Sequence, residues 1–101
     1  MTSKAEQEWA YCRNNGVPHK DLSIAEEKGE KALSITTDGL RILMVSLAAQ
    51  GNAEYRQALM YTMSAEEALV QEGSDPTNAS RAAIMDALEV YGLIGQGWKV
   101  H

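Results

Sequence analysis

Residues 37–51, TDGLRILMVSLAAQG, hold the longest apolar stretch of the chain, Ile42–Val45 extended to Ala49 with only Ser46 interrupting. Thr37 can cap a helix at its start, and Gly51 can end it. Between them Leu40, Ile42, Leu43, Met44, Val45, Leu47, Ala48 and Ala49 occupy nearly every side of a helical wheel, which is how a buried helix reads. A central core helix is therefore expected over 38–50, with the other elements packed around it.

Downstream, Asn52 can cap a helix from Ala53 to about Met63, in which Tyr55, Leu59 and Met63 lie four apart on one face. Ser64-Ala65-Glu66-Glu67 has the form of a capping box. It either restarts a helix through Glu72 or lies inside a longer one. Gly73-Ser74-Asp75-Pro76 is a firm break. Asp75 or Asn78 then caps a helix to Tyr91, with Ile84, Leu88 and Tyr91 on one face and Met85 beside them, and Gly92 stops it. Upstream, Ser23-Ile24-Ala25-Glu26 is another capping box and predicts a polar surface helix to about Ser34. Gly29 would weaken that helix by about 1 kcal/mol relative to alanine. A further box, Ser3-Lys4-Ala5-Glu6, opens a first helix to about Asn14, ended by Gly16 and Val17-Pro18. In the last stretch Gly95-Gln96 suits a type II′ turn. A minimal hairpin over 92–100 would point Trp98 and Val100 to one face and Lys99 to the other. The expected fold is all-α or nearly so: one domain over 1–101, five to six helices around helix 38–50, and a short C-terminal hairpin.

A chain of 101 residues allows one domain and can bury a core without metal or disulfide staples. Apolar and charged fractions of 45% and 23% are those of an ordinary globular protein. No signal peptide is read at the N-terminus, and no apolar run approaches the roughly 20 residues of a membrane span. A single cysteine, Cys12, cannot form an internal disulfide, so a reducing cytoplasm is the expected home. The net charge of −5 is uneven: six basic and seven acidic side chains fall in residues 1–50, three and seven in 51–101. An acidic C-terminal half favours a protein partner over nucleic acid, whose binding relies on Lys and Arg at phosphates.

Signs of catalytic chemistry are few. Cys12 stands alone, and His19 and His101 stand far apart, the latter at a terminus where order is least expected. A thiol nucleophile would need a base beside Cys12, and His19 lies across a helix end and a proline. The adjacent acids Glu26-Glu27 and Glu66-Glu67 point about 100° apart on a helix and read as solvated faces. Met44, Met60, Met63 and Met85 read as fillers of core gaps, with an adaptable Met-rich surface as the alternative. Trp9, Tyr11, Tyr61 and Trp98 do not all fit on the predicted core faces, and exposed Trp and Tyr are favoured interface anchors. No catalytic, cofactor or metal residue is assigned.

Residues 64–100 resemble the core of a winged helix-turn-helix domain. A short helix (Ser64–Glu72), a break, a second helix (Asn78–Tyr91), the sequence Tyr91-Gly92-Leu93-Ile94 and a strand over Gly97–Val100 follow that family's order. The resemblance implies a DNA reader using Asn78, Ser80, Arg81 and Lys99. Residues 64–101, however, set Arg81 and Lys99 against six acids, whereas a DNA-reading helix normally presents several Arg, Lys, Asn or Gln. Winged-helix domains also bind proteins, and the charge suits that better. The chain is further similar, in size and charge alone, to small acidic helical phage and plasmid proteins that block host machinery, some anti-CRISPR proteins among them. The function expected is thus a non-enzymatic regulator or inhibitor acting by protein–protein contact. Its partner would be a protein with a basic surface, met through Tyr61, Glu66, Glu67, Glu72 and Trp98. DNA binding is the alternative, no membrane is involved, and leftover apolar surface on 53–72 could form a homodimer.

Overall fold

The computed structural model describes residues 3–93 and 97–101. Among these are four α-helices and a three-stranded mixed sheet, in the order α1 (Lys4–Asn14), β1 (Leu22–Glu27), β2 (Glu30–Ile35), α2 (Thr37–Ala49), α3 (Ala53–Gln71), α4 (Pro76–Tyr91) and β3 (Lys99–Val100). The expectation of an all-α fold with five to six helices is therefore corrected to four helices and a small sheet. The chain forms two compact units, Met1–Leu43 with Ile94–His101, and Met44–Leu93.

In the first unit, Ser3 caps α1 by accepting the Glu6 amide, while its hydroxyl donates to the Glu6 carboxylate at 3.0 Å. Gly16 takes φ +92°, and the Val17 amide reaches back to the Cys12 carbonyl. Residues 23–34, expected as a polar helix, are instead an antiparallel hairpin with register Leu22↔Ile35 through Glu27↔Glu30. Its two-residue loop, Lys28-Gly29, has positive φ at both positions (+52° and +80°), as a type I′ turn requires. The pairing sets Ile24 opposite Leu33 and Leu22 opposite Ile35 on one face. Leu33 and Ile35 become fully buried, and α1 packs against both strands. A helix through 23–34 would have scattered these apolar side chains and carried Gly29 in its interior, so burial outweighs the Ser23–Glu26 capping signal.

The start of α2 is the most tightly specified point of this unit. The cap is Thr36, one residue before the expected Thr37. Its Oγ1 accepts the Gly39 amide at 2.9 Å, and its own hydroxyl donates to the buried Asp21 carboxylate at 2.9 Å. The Thr36 amide donates to the Asp21 carbonyl as well. Gly39 lies so close to its surroundings that an added Cβ would come within 3.0 Å of Asp21 Cβ and Ile35 Cγ1 and 3.2 Å of Val17 Cγ1. Helix α2 is not buried all round, as residues 38–50 had suggested. Leu40, Leu43, Met44, Leu47 and Ala48 face inward, whereas Val45 (47%) and Ile42 (36%) are exposed.

Strand β3 also departs from expectation. It pairs parallel with β2 (Ser34↔Lys99, Ile35↔Val100), so its partner is not the segment preceding it. The turn proposed at Gly95-Gln96 lies outside the described residues. His101 is held at the end of β3: its amide donates to Ile35, its carbonyl accepts from the Thr37 amide, and its Nδ1 is 3.0 Å from Ser34 Oγ.

In the second unit, Asn52 caps α3 through the Tyr55 amide, and the helix continues unbroken past Ser64. The Ser64–Glu67 capping box is thus interior, since the surrounding Ala, Met, Glu and Leu residues are good helix formers with no Gly or Pro among them. Gly73 ends the segment at φ +100°. Asp75 Oδ2 accepts the Thr77 and Asn78 amides, Pro76 takes the first turn of α4, and Gly92 closes it in the left-handed conformation. Helices α3 and α4 pack along each other over small residues, Ala58 and Thr62 from one, Ala79, Ala83 and Ala87 from the other, with Ile84 and Leu88. Thr62 satisfies its buried hydroxyl by donating to the Ala58 carbonyl at 2.8 Å. Arg56 Nε donates to the Ala48 carbonyl at the end of α2, a cation where the helix dipole favours one.

Gly39→Ala weighs a gain of about 1 kcal/mol in helix propensity against an overpacking cost of about 1–3 kcal/mol. Three contacts under 3.3 Å decide for the cost. Urea unfolding is expected to show a net loss of up to about 2 kcal/mol, and raised stability would contradict the close approach.

Candidate functional site

The second unit carries the whole net charge of the chain. Glu54, Glu66, Glu67, Glu72, Asp75, Asp86 and Glu89 face only Arg56 and Arg81 there, giving −5, while the remaining residues hold seven acidic and seven basic side chains. Among the described residues exposed large apolar side chains occur on both units, Tyr11, Ile24 and Ile42 on the first and twice as many on the second. Met60 and Met63 are 69% and 59% exposed, and Val70, Met85 and Val90 are exposed too, whereas Met44 is buried at 1%. Three of the four methionines read as core fillers are therefore on the surface. The buried positions of α3 are Ala58 and Thr62, four apart, and Met60 and Met63 lie off that face. Residues 60, 63, 67 and 70 recur at helical spacing on one side of α3.

Two adjoining hollows lie on this side of α3. One, of about 320 Å³, is lined by Gln57, Met60, Tyr61, Ser64 and Tyr91. The other, of about 330 Å³, is lined by Met60, Met63, Ser64 and Glu67. Tyr61 is half-buried, packs edge-on to Tyr91 with ring centroids 6.0 Å apart, and donates its hydroxyl to Asp86 Oδ2. The Asp86 bond and, less so, burial push the Tyr61 phenol above its ordinary pKa, because ionising it would remove the donor and face a carboxylate.

The sequence-predicted contact residues divide between the units. Tyr61, Glu66, Glu67 and Glu72 are on or at the end of α3: Glu66 half-buried, Glu67 exposed and accepting from Gln71 Nε2 at 3.4 Å, Glu72 the exposed C-cap. Trp98 belongs to the first unit, where it is half-buried and its indole N–H donates to Glu8. Residues assigned to DNA divide as well. Asn78, Ser80 and Arg81 are in the first two turns of α4, and Lys99 is in β3, paired with Glu27, whose carboxyl it holds below the ordinary value. The sequence reading put Met60 and Met63 in the core, with a Met-rich surface as the alternative, and gave Ser64 and Tyr91 no part in a site. Their signal was the spacing 60-63-67-70 beside a separate face at 58 and 62.

Cys12 and His19 form no reactive pair. Cys12 is fully buried, and burial, with a smaller contribution from Glu8, pushes its thiol up to about 11. His19 is exposed and rests against Trp9 with centroids 5.1 Å apart. Among the described residues no three His, Cys, Asp or Glu side chains gather in a way that could hold a metal ion. Among them, too, no helix is long and apolar enough to cross a membrane.

No protein family, curated protein or solved structure matches this chain.

The thiol makes a testable expectation. Below about pH 9 Cys12 is protonated in folded and unfolded chains alike. Between pH 9 and about 11 only the unfolded chain loses the proton, so stability falls as pH rises through that window. A disulfide-exchange reagent at pH 8 is expected to label Cys12 at least tenfold more slowly in the native chain than in urea. Equal rates would contradict its burial.

Proposed function

We propose that this chain is a non-enzymatic binding protein of the regulator or inhibitor kind, working in the reducing cytoplasm. It acts by protein–protein contact through the second unit. One observation carries the reading: exposed methionines beside tyrosines on a unit that holds the entire net charge of −5. Apolar side chains exposed together in one patch mark a partner surface, and methionine suits one that must adapt in shape. Aromatic anchors supply much of the affinity at such surfaces, here Tyr61 and Tyr91. The carboxylates Glu66, Glu67 and Glu72 favour a partner with a basic surface and steer its approach. Trp98, also expected in the contact, stands on the first unit, where its indole N–H donates to Glu8.

The test is recovery of partners from cells of the source organism. Wild-type protein is expected to retrieve a protein with a basic surface, in a complex weakened by salt. The double variant Met60→Ser, Met63→Ser is expected to lose at least tenfold of it, and Glu66→Gln, Glu67→Gln, Glu72→Gln to slow association and flatten the salt dependence. Equal recovery by wild type and the methionine variant, or no specific recovery by the wild type, would contradict the proposal. Retardation of duplex DNA at micromolar protein and low salt would point instead to a DNA reader.

A further inference from the structure

The two hollows on α3 have a specific form. Gln57, Met60, Tyr61 and Ser64 stand at positions i, i+3, i+4 and i+7 of the helix, with Tyr91 of α4 as a further wall, and Met60, Met63, Ser64 and Glu67 stand at the same spacing. Four residues in that pattern make the hole that receives one side chain of a facing helix in knobs-into-holes packing. The holes are consecutive, displaced by three residues along α3 and sharing Met60 and Ser64. The short Ser64 side chain keeps both open, with Met60, Met63 and Tyr61 as apolar walls. Side chains three or four apart on one face of a second helix match such a pair.

Charge narrows the occupant further. Glu67 is a wall of the second hole, and Asp86 is bound to Tyr61, a wall of the first. Of the two cations in this unit, Arg56 is engaged with the Ala48 carbonyl. A second copy of the chain would bring the same −5 to the contact. From these observations we infer that the Gln57–Glu67 face of α3 binds an amphipathic helix of a partner protein, with two apolar side chains in the holes and lysine or arginine beside them. The inference rests on the protein-contact reading above and adds the partner's form and charge.

The 101-residue chain labelled with ¹³C at its methionine methyl groups provides the test. It is titrated with a synthetic amphipathic helical peptide carrying leucines on one face and lysines on its flanks, and separately with the same peptide bearing glutamates for lysines. The Met60 and Met63 methyl signals are expected to move with the basic peptide, and the buried Met44 signal to stay. The acidic peptide is expected to bind at least tenfold more weakly. Ser64→Gln is exposed, keeps good helix propensity and fills both holes. It is expected to leave the helical circular dichroism unchanged and to weaken binding of the basic peptide at least tenfold. Unmoved Met60 and Met63 signals, equal binding of the two peptides, or full binding by Ser64→Gln would each overturn the inference. So would movement of these signals with protein concentration alone, which would assign the face to a second copy. If partners recovered from cells still require Met60 and Met63 while no helix binds, the protein-contact reading stands and the helical partner falls.

Discussion

The absent side chain of Gly39 is the constraint on which the first unit depends. It lets the first turn of α2 sit against Asp21, Ile35 and Val17, where any Cβ would meet carbon at 3.0–3.2 Å. The cap is built at the same place, with Asp21 accepting from Thr36 and Thr36 accepting from Gly39. One junction thus joins the end of α1's exit loop, the start of β1, the end of β2 and the start of α2. Strand β3 attaches to it too, through the Thr37–His101 and His101–Ile35 bonds. Once α2 starts there, its inward face is set, and Leu40 and Leu43 are buried while Ile42 and Val45 are left outward.

Helix ends were legible because they are local chemistry. Ser3, Asn52, Asp75 and Gly92 each do at their position what their side chain, or its lack, predicts. The hairpin was misread for the same reason. Ser23 and Glu26 match a capping box locally, whereas the competing signal needs two strands read together. Leu22-x-Ile24 and Leu33-x-Ile35 are mirror images about Lys28-Gly29, and only pairing puts them on one face. The parallel pairing of β3 with β2 joins positions more than sixty residues apart, which no local pattern encodes.

The candidate site was half legible. Acidity and Tyr61 stood out from composition and spacing, and Glu66, Glu67 and Glu72 do lie on or at the end of α3. The methionines were assigned to the core on hydrophobicity alone. Their exposure follows from their place on α3, whose buried face runs through Ala58 and Thr62. Met60 and Met63 lie off that face and turn outward beside Tyr61. The short side chain of Ser64 lines both hollows. An apolar face on the only net-charged unit then follows from helix packing, and the protein-contact proposal grows from that face.

A binding face on α3 requires Met60 and Met63 to stand in water in the free protein while Met44 does not. Mild peroxide treatment with mass-spectrometric readout of each methionine measures this directly, since sulfoxide forms according to exposure. Met60 and Met63 are expected to oxidise at least tenfold faster than Met44 in the native chain, with the difference lost in urea. Native-state rates for Met60 and Met63 as slow as that of Met44 would show them to be core, and the binding face would not exist.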